Sequence, residues 1–164
     1  MNVGAYILAR FTDTDKLLPA INNLKKCEQV LRWDAVEGHV NLIIKIKTSS
    51  THLPEEIKKM EGVVDLKSYD ILNDGEQSII FDRKYCHSYL FIECEPVKTE
   101  KIKDFIQAMD NCLFASKVRG GCDIIAILRG ESFITIDRIV NDNVRILDGI
   151  VRMKTNRVID LKQI

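Results

Sequence analysis

The chain says nearly the same thing twice. Val36-Glu37-Gly38-His39-Val40-Asn41 runs into Leu42-Ile43-Ile44-Lys45-Ile46, and Val118-Arg119-Gly120-Gly121-Cys122-Asp123 runs into Ile124-Ile125-Ala126-Ile127-Leu128. Gly38 aligns with Gly120, 82 residues later, and a polar residue follows three places after each glycine, Asn41 in one copy and Asp123 in the other. Glycine suits a tight turn, and an apolar run directly after it reads as a buried strand. Ser88-Tyr89-Leu90-Phe91 lies over Ala5-Tyr6-Ile7-Leu8 at an offset of 83. Asp148-Gly149-Ile150-Val151 lies over Glu61-Gly62-Val63-Val64 at 87, so the second copy is five residues longer in its last helical region.

The order of elements follows from periodicity and punctuation. Ala5–Phe11 reads as a first strand, and Thr12 with Asp15 resembles a capping box before a helix carrying Leu17, Ile21 and Leu24 on one face. Pro19 is tolerable only near the first turn, so that helix should start late or bend. Residues 30–36 and 39–47 form a hairpin around Gly38, and residues 48–51 form a polar turn. Pro54 opens a short helix, Gly62 stops it, and residues 63–72 are the fourth strand. Residues 78–81 could add a short extra strand. The second copy repeats the scheme. His87 starts its first strand, Thr99 caps a helix with Ile102, Phe105, Ile106 and Met109, and a hairpin turns at Gly120-Gly121. Ser132 then caps a longer helix with Phe133, Ile136, Val140 and Val144, and residues 152–161 are the last strand.

Each copy is strand, helix, strand, strand, helix, strand. Such a unit gives an α+β module, a four-stranded antiparallel sheet with both helices on one face. The expected division is residues 1–73, a linker at 74–84 marked by Asn73-Asp74-Gly75-Glu76, and residues 85–164. Residues 124–128 contain no polar side chain, whereas a strand with one wet face alternates. The face away from the helices must therefore be covered too, by stacking the two sheets or by a second chain.

Composition bounds the function. With 46% hydrophobic and 29% charged residues, the chain has enough apolar matter for a real core. It carries 24 basic and 24 acidic residues, and the balance is as even within each half, which argues against direct nucleic-acid binding. No apolar run reaches the ~20 residues that span a bilayer, and no secretory signal opens the chain, so the expectation is a cytoplasmic protein with no membrane partner. Five cysteines, with no C-x-x-C pair, read as small buried hydrophobes in a reducing compartment. No metal, cofactor or catalytic constellation is expected. His39, His87, Glu93 and Asp123 are the polar candidates, and they match no recognised pattern.

The element order, the hairpin Val118–Asp123 running into Ile124-Ile125, and the later Asp148-Gly149-Ile150-Val151 resemble the effector-binding domain of the Lrp/AsnC family, also called the RAM domain. The second copy matches along residues 85–161, and the first more weakly, with Asn41 in place of the aspartate and a shortened second helix. The resemblance implies ferredoxin-like βαββαβ modules paired through their sheets as a dimeric α+β barrel or sandwich. It also implies a homo-oligomer and a small amino-acid-like effector bound near the glycine hairpin. Regulators of this family carry a helix-turn-helix; here none is expected, so any role in transcription would pass through a helix-turn-helix-bearing relative.

The effector site expected on this basis is Arg119, Gly120, Gly121 and Asp123, with Gly38 and Asn41 as its weaker counterpart. Glycine N–H groups can approach a carboxylate, and Asp123 can accept from an ammonium. The bland alternative is that the glycines serve turn geometry alone. Two rival readings remain: an ACT-like amino-acid-binding domain, whose loop after the first strand favours a glycine that both copies lack, and a small enzyme on a dimeric α+β barrel. The expectation is a non-enzyme.

Overall fold

The computed structural model describes residues 4–47, 52–73, 81–82 and 84–159. The polar turn at 48–51, the linker positions 74–76, nearly all of the extra strand at 78–81 and the end of the last strand fall outside them. The chain divides into two compact units, one built on residues up to Ile71 and joined by Ile159, the other on Leu72–Val158.

The first unit contains β1 (Ala5–Phe11), α1 (Leu17–Lys25), β2 (Val30–Ala35), β3 (Leu42–Ile46), α2 (Leu53–Lys58) and β4 (Val63–Asn73). Its strands are antiparallel in the order β2-β3-β1-β4. The second unit contains β5 (Cys86–Cys94), α3 (Thr99–Gln107), β6 (Cys112–Arg119), β7 (Ile124–Gly130), α4 (Phe133–Ile139) and β8 (Ile150–Arg157). Its order is β6-β7-β5-β8, again antiparallel. These are two ferredoxin-like modules, with the first and last strands adjacent at the same place in each.

Alternation along the central strands decides which side chains meet the helices. Ile7, Ala9 and Phe11 of β1 join Leu17, Ile21 and Leu24 of α1 and Ile57 of α2 in the first core. Leu90, Ile92 and Cys94 of β5 join Ile102 and Ile106 of α3 and Ile136 of α4 in the second. Each such fully buried aliphatic side chain stabilises its module by about 1.5–3 kcal/mol before entropy. The opposite faces are buried as well, with Tyr6, Leu8 and Ile43 in the first unit and Tyr89, Ile125 and Ile127 in the second. That is what strands without alternation require.

Several local expectations change. No capping box forms at Thr12 and Asp15; residues Thr14–Lys16 make a 3-10 turn whose Asp13 gives no side-chain cap, and α1 starts at Leu17, which leaves Pro19 in its first turn. Thr99 is the first helical residue of α3 rather than its cap, and its hydroxyl bonds back to the Glu95 carbonyl at 3.3 Å. Phe105 points to solvent while Ile102 and Ile106 face the core. Ser132 does cap α4, accepting the Thr135 N–H at 3.1 Å. The longer second helix breaks at Ile139 into a π-helical turn, Val140–Val144, where the extra residues of this copy are taken up.

Candidate functional site

The hairpin end of each module is built on one repeated set of bonds. In the second module Val118 N–H donates to the Asp123 carbonyl at 2.9 Å, and Asp123 N–H donates to the Ile92 carbonyl at 2.8 Å. In the first module Val36 N–H donates to the Asn41 carbonyl at 2.9 Å, and Asn41 N–H donates to the Ala9 carbonyl at 3.1 Å. The turn is thus stitched to the end of the module's first strand. That strand bulges at the same point in both copies, between Arg10 and Phe11 and between Glu93 and Cys94. A bulge leaves an N–H without a ladder partner. The side chains of Asn41 and Asp123 supply one. Asn41 Oδ1 accepts from Phe11 N–H at 2.7 Å, and Asp123 Oδ2 accepts from Cys94 N–H at 2.9 Å.

The structure brings Arg119, Gly120, Gly121 and Asp123 together on this turn, the first three exposed and Asp123 half-buried. Gly38 sits at φ 112°, where a Cβ is strained, whereas Gly120 at φ 157° is close to extended backbone. The Asp123 carboxylate carries about four lone-pair sites, so its bond to Cys94 leaves acceptor capacity for a ligand cation. Asn41 performs the same backbone task without charge. Beside Asn41, Arg10 Nη1 lies 3.0 Å from Nε2 of the exposed His39, and because arginine only donates, the imidazole nitrogen accepts. Beside Asp123, Glu93 Oε1 accepts from Arg152 Nη2 at 2.8 Å.

The thiols around the turn are inert. Burial pushes Cys122 up to about 12, with the Asp123 charge adding to it, and burial also raises Cys94, partly offset by its hydrogen bond with Thr99. Among the described residues no group of three His, Cys, Asp or Glu side chains could hold a metal ion. Within them, no helix is long and apolar enough to cross a membrane.

Sequence reading missed a second repeated device at this end. Thr12 N–H donates to the Gly62 carbonyl at 2.9 Å, and Glu95 N–H donates to the Gly149 carbonyl at 2.8 Å. Gly62 (φ 92°) and Gly149 (φ 100°) are also roofed by lysine stems: a Cβ on Gly62 would lie 2.6 Å from Lys16 Cβ, and one on Gly149 2.6 Å from Lys98 Cδ. Each lysine then pairs with the acid before its glycine, Lys16 with Glu61 at 2.8 Å and Lys98 with Asp148 at 2.5 Å. The signal was present in the aligned Glu-Gly and Asp-Gly pairs and in two lysines 82 residues apart.

Residues 88–162 match the family model of the Lrp/AsnC ligand binding domain. No curated protein sequence matches the chain. Among solved structures, the siroheme decarboxylase NirDL, in co-complex with an iron-uroporphyrin III analogue, is similar with a TM-score of 0.72 at 9% identity, covering 95% of this chain and 71% of that one. A putative monooxygenase from Fusobacterium nucleatum gives 0.57 at 11% identity, covering 95% and 90%. E. coli AsnC gives 0.45 at 12% identity, covering 70% and 74%. At these identities the NirDL and monooxygenase structures share the fold. The family resemblance is carried by the second module, which over residues 88–162 is similar to the Lrp/AsnC ligand-binding domain.

Proposed function

We propose that this chain is a regulatory module of the Lrp/AsnC type that senses a small amino-acid-like effector at the second hairpin and assembles into homo-oligomers. The observation that carries the reading is the Asp123 carboxylate. It is held in place by Cys94 N–H next to exposed Gly120 and Gly121, inside the segment that matches the ligand-binding domain. A zwitterion needs an anion site and a cation site a few ångströms apart, and glycine N–H groups and a fixed carboxylate are the right chemistry for the two. The neutral Asn41 makes the first hairpin the weaker site. A thermal-shift screen against the twenty amino acids tests this, because a ligand that binds only the native state raises the melting temperature. Calorimetry with the hit should then give one site per chain. Asp123→Asn should weaken it by ~1.5–3 kcal/mol, the scale of a charge-assisted hydrogen bond. No shift with any amino acid, or two equal sites per chain, overturns the reading.

An enzymatic reading has one observation in its favour, the similarity of fold to NirDL across nearly the whole chain. Titration with iron-uroporphyrin III separates the two. A saturable change in the porphyrin absorption band at micromolar protein supports the enzyme, and an unchanged spectrum supports the regulator.

A further inference from the structure

Asp148-Gly149 lies in the turn between the π-helical segment and β8, before the ladder begins at Ile150. The Asp148 side chain is 89% exposed and pairs with Lys98 Nζ at 2.5 Å. Gly149 N–H donates to no backbone carbonyl among the described residues. It donates instead to the carboxylate of Asp148, the residue before it. The amide nitrogen of one residue thus sits beside the carboxyl carbon of its neighbour, and Gly149 has no Cβ to obstruct their approach.

The first module supplies the comparison. Glu61-Gly62 occupies the same place, and the Glu61 side chain is 80% exposed and pairs with Lys16 at 2.8 Å. Glutamate carries its carboxyl one carbon further out. Closure onto Gly62 N would need a six-membered ring, closure onto Gly149 N a five-membered one, and the five-membered ring closes far faster. The two turns share exposure, lysine and glycine, and they differ in the property that decides this chemistry.

We propose that Asp148 is a self-modification site, at which the chain isomerises to isoaspartate, and that Lys98 is the positioning residue that restrains it. Gly149 N gives up its proton and bonds to Asp148 Cγ, and a carboxyl oxygen leaves as water. The succinimide so formed takes up a water at the main-chain carbonyl of Asp148, and the original peptide C–N bond breaks. One water leaves and one enters, and nothing is oxidised or reduced. The chain now runs through the side-chain carbonyl, and the former main-chain carbonyl is a free carboxylate. Oxygen departs more readily from a neutral carboxyl than from a carboxylate. Lys98, with a smaller contribution from Lys101, keeps Asp148 ionised, while Glu95 shares the Lys98 ammonium at 3.3 Å. A pair this exposed is weak, so it slows the reaction without preventing it. The extra methylene enters the main chain just before the Gly149 carbonyl that receives Glu95 N–H, so the modification loosens that tie. The inference uses no ligand and stands apart from the effector reading.

The test is incubation of the full chain for several weeks at neutral pH and physiological temperature, followed by peptide mapping with electron-transfer fragmentation, which separates the isomers. Isoaspartate is expected to accumulate at position 148, read on a different peptide from Asp74-Gly75, with no isomer at position 61. Lys98→Met keeps the stem over Gly149 and removes the charge, and it should raise the rate several-fold. Lys98→Arg restores a cation and should return the rate to that of wild type. Asp148→Glu copies the first module and should abolish the modification while the melting curve stays cooperative. Wild type without isoaspartate at position 148 would overturn the site. A Lys98→Met variant no faster than wild type, or a Lys98→Arg variant as fast as Lys98→Met, would overturn the role of Lys98.

Discussion

Asp123 takes the backbone N–H of Cys94 on Oδ2 at 2.9 Å, just as Asn41 takes that of Phe11 on Oδ1 at 2.7 Å. An amide oxygen therefore suffices for the structural task, and the charge at position 123 is surplus to it. Asp123→Asn should leave stability within about 0.5 kcal/mol of wild type, whereas Asp123→Ala, which strands a half-buried N–H, should cost about 1–3 kcal/mol. Urea unfolding of both variants checks this. Equal losses would show that the carboxylate charge itself holds the turn.

Gly62 and Gly149 are predicted to be equally intolerant of a side chain. Their φ values of 92° and 100° cost an L-residue about 1–2 kcal/mol, and the lysine stem above each must also move. Gly62→Ala and Gly149→Ala should each lower the melting temperature by several degrees. Removing the roof as well, in Lys98→Ala with Gly149→Ala, should recover the steric part and leave the φ part.

A few exposed pairs should contribute a small part of the acid limb of the stability curve. Hydrogen bonds from Lys16 and Lys98 hold Glu61 and Asp148 below their ordinary values of 4.5 and 3.8, and Lys117 and Lys103 do the same for Glu100, ordinarily 4.5. A carboxylate depressed in the folded state contributes stability above its unfolded pKa and loses it as the pH falls through the folded value. Stability should thus decline from about pH 4.5 downward, and Glu61→Gln or Asp148→Asn should flatten that decline. Thermal melts across an acid series read this directly.

Cys112 and Cys122 should resist alkylation in the native protein. Burial pushes their thiols up to about 11 and about 12, so almost no thiolate exists near neutral pH. Mass spectrometry after iodoacetamide should show both unmodified until denaturant is added. Rapid native labelling of either would mean that the surrounding strands open.

The architecture was legible because strands and turns recur at nearly fixed offsets, and because Leu42-Ile43-Ile44 and Ile124–Leu128 are apolar without alternation. Helix starts were less so. Thr12 and Asp15 offer capping chemistry, yet the first strand's end is tied to Gly62, and the intervening residues tighten into a 3-10 turn before α1 can begin. Phe105 fits the apolar stripe by spacing, but the helix presents only Ile102 and Ile106 squarely to the sheet. At the hairpin, the sequence pointed to Asp123 as a polar group without disclosing its backbone partner. That partner follows from the bulge after Glu93, and a bulge is a property of strand pairing that one strand's residues do not announce.

The π-helical turn Val140–Val144 separates two requirements that a shorter connection would tie together. Downstream of it, Gly149 still receives Glu95 N–H, as Gly62 receives Thr12 N–H in the copy without the extra residues. Length has therefore changed here without any cost to the register of the strand that follows. For protein engineering this is a ready insertion point. A peptide tag or a reporter loop spliced at the exposed residues Asn141–Asn143 would be absorbed before it reached the sheet.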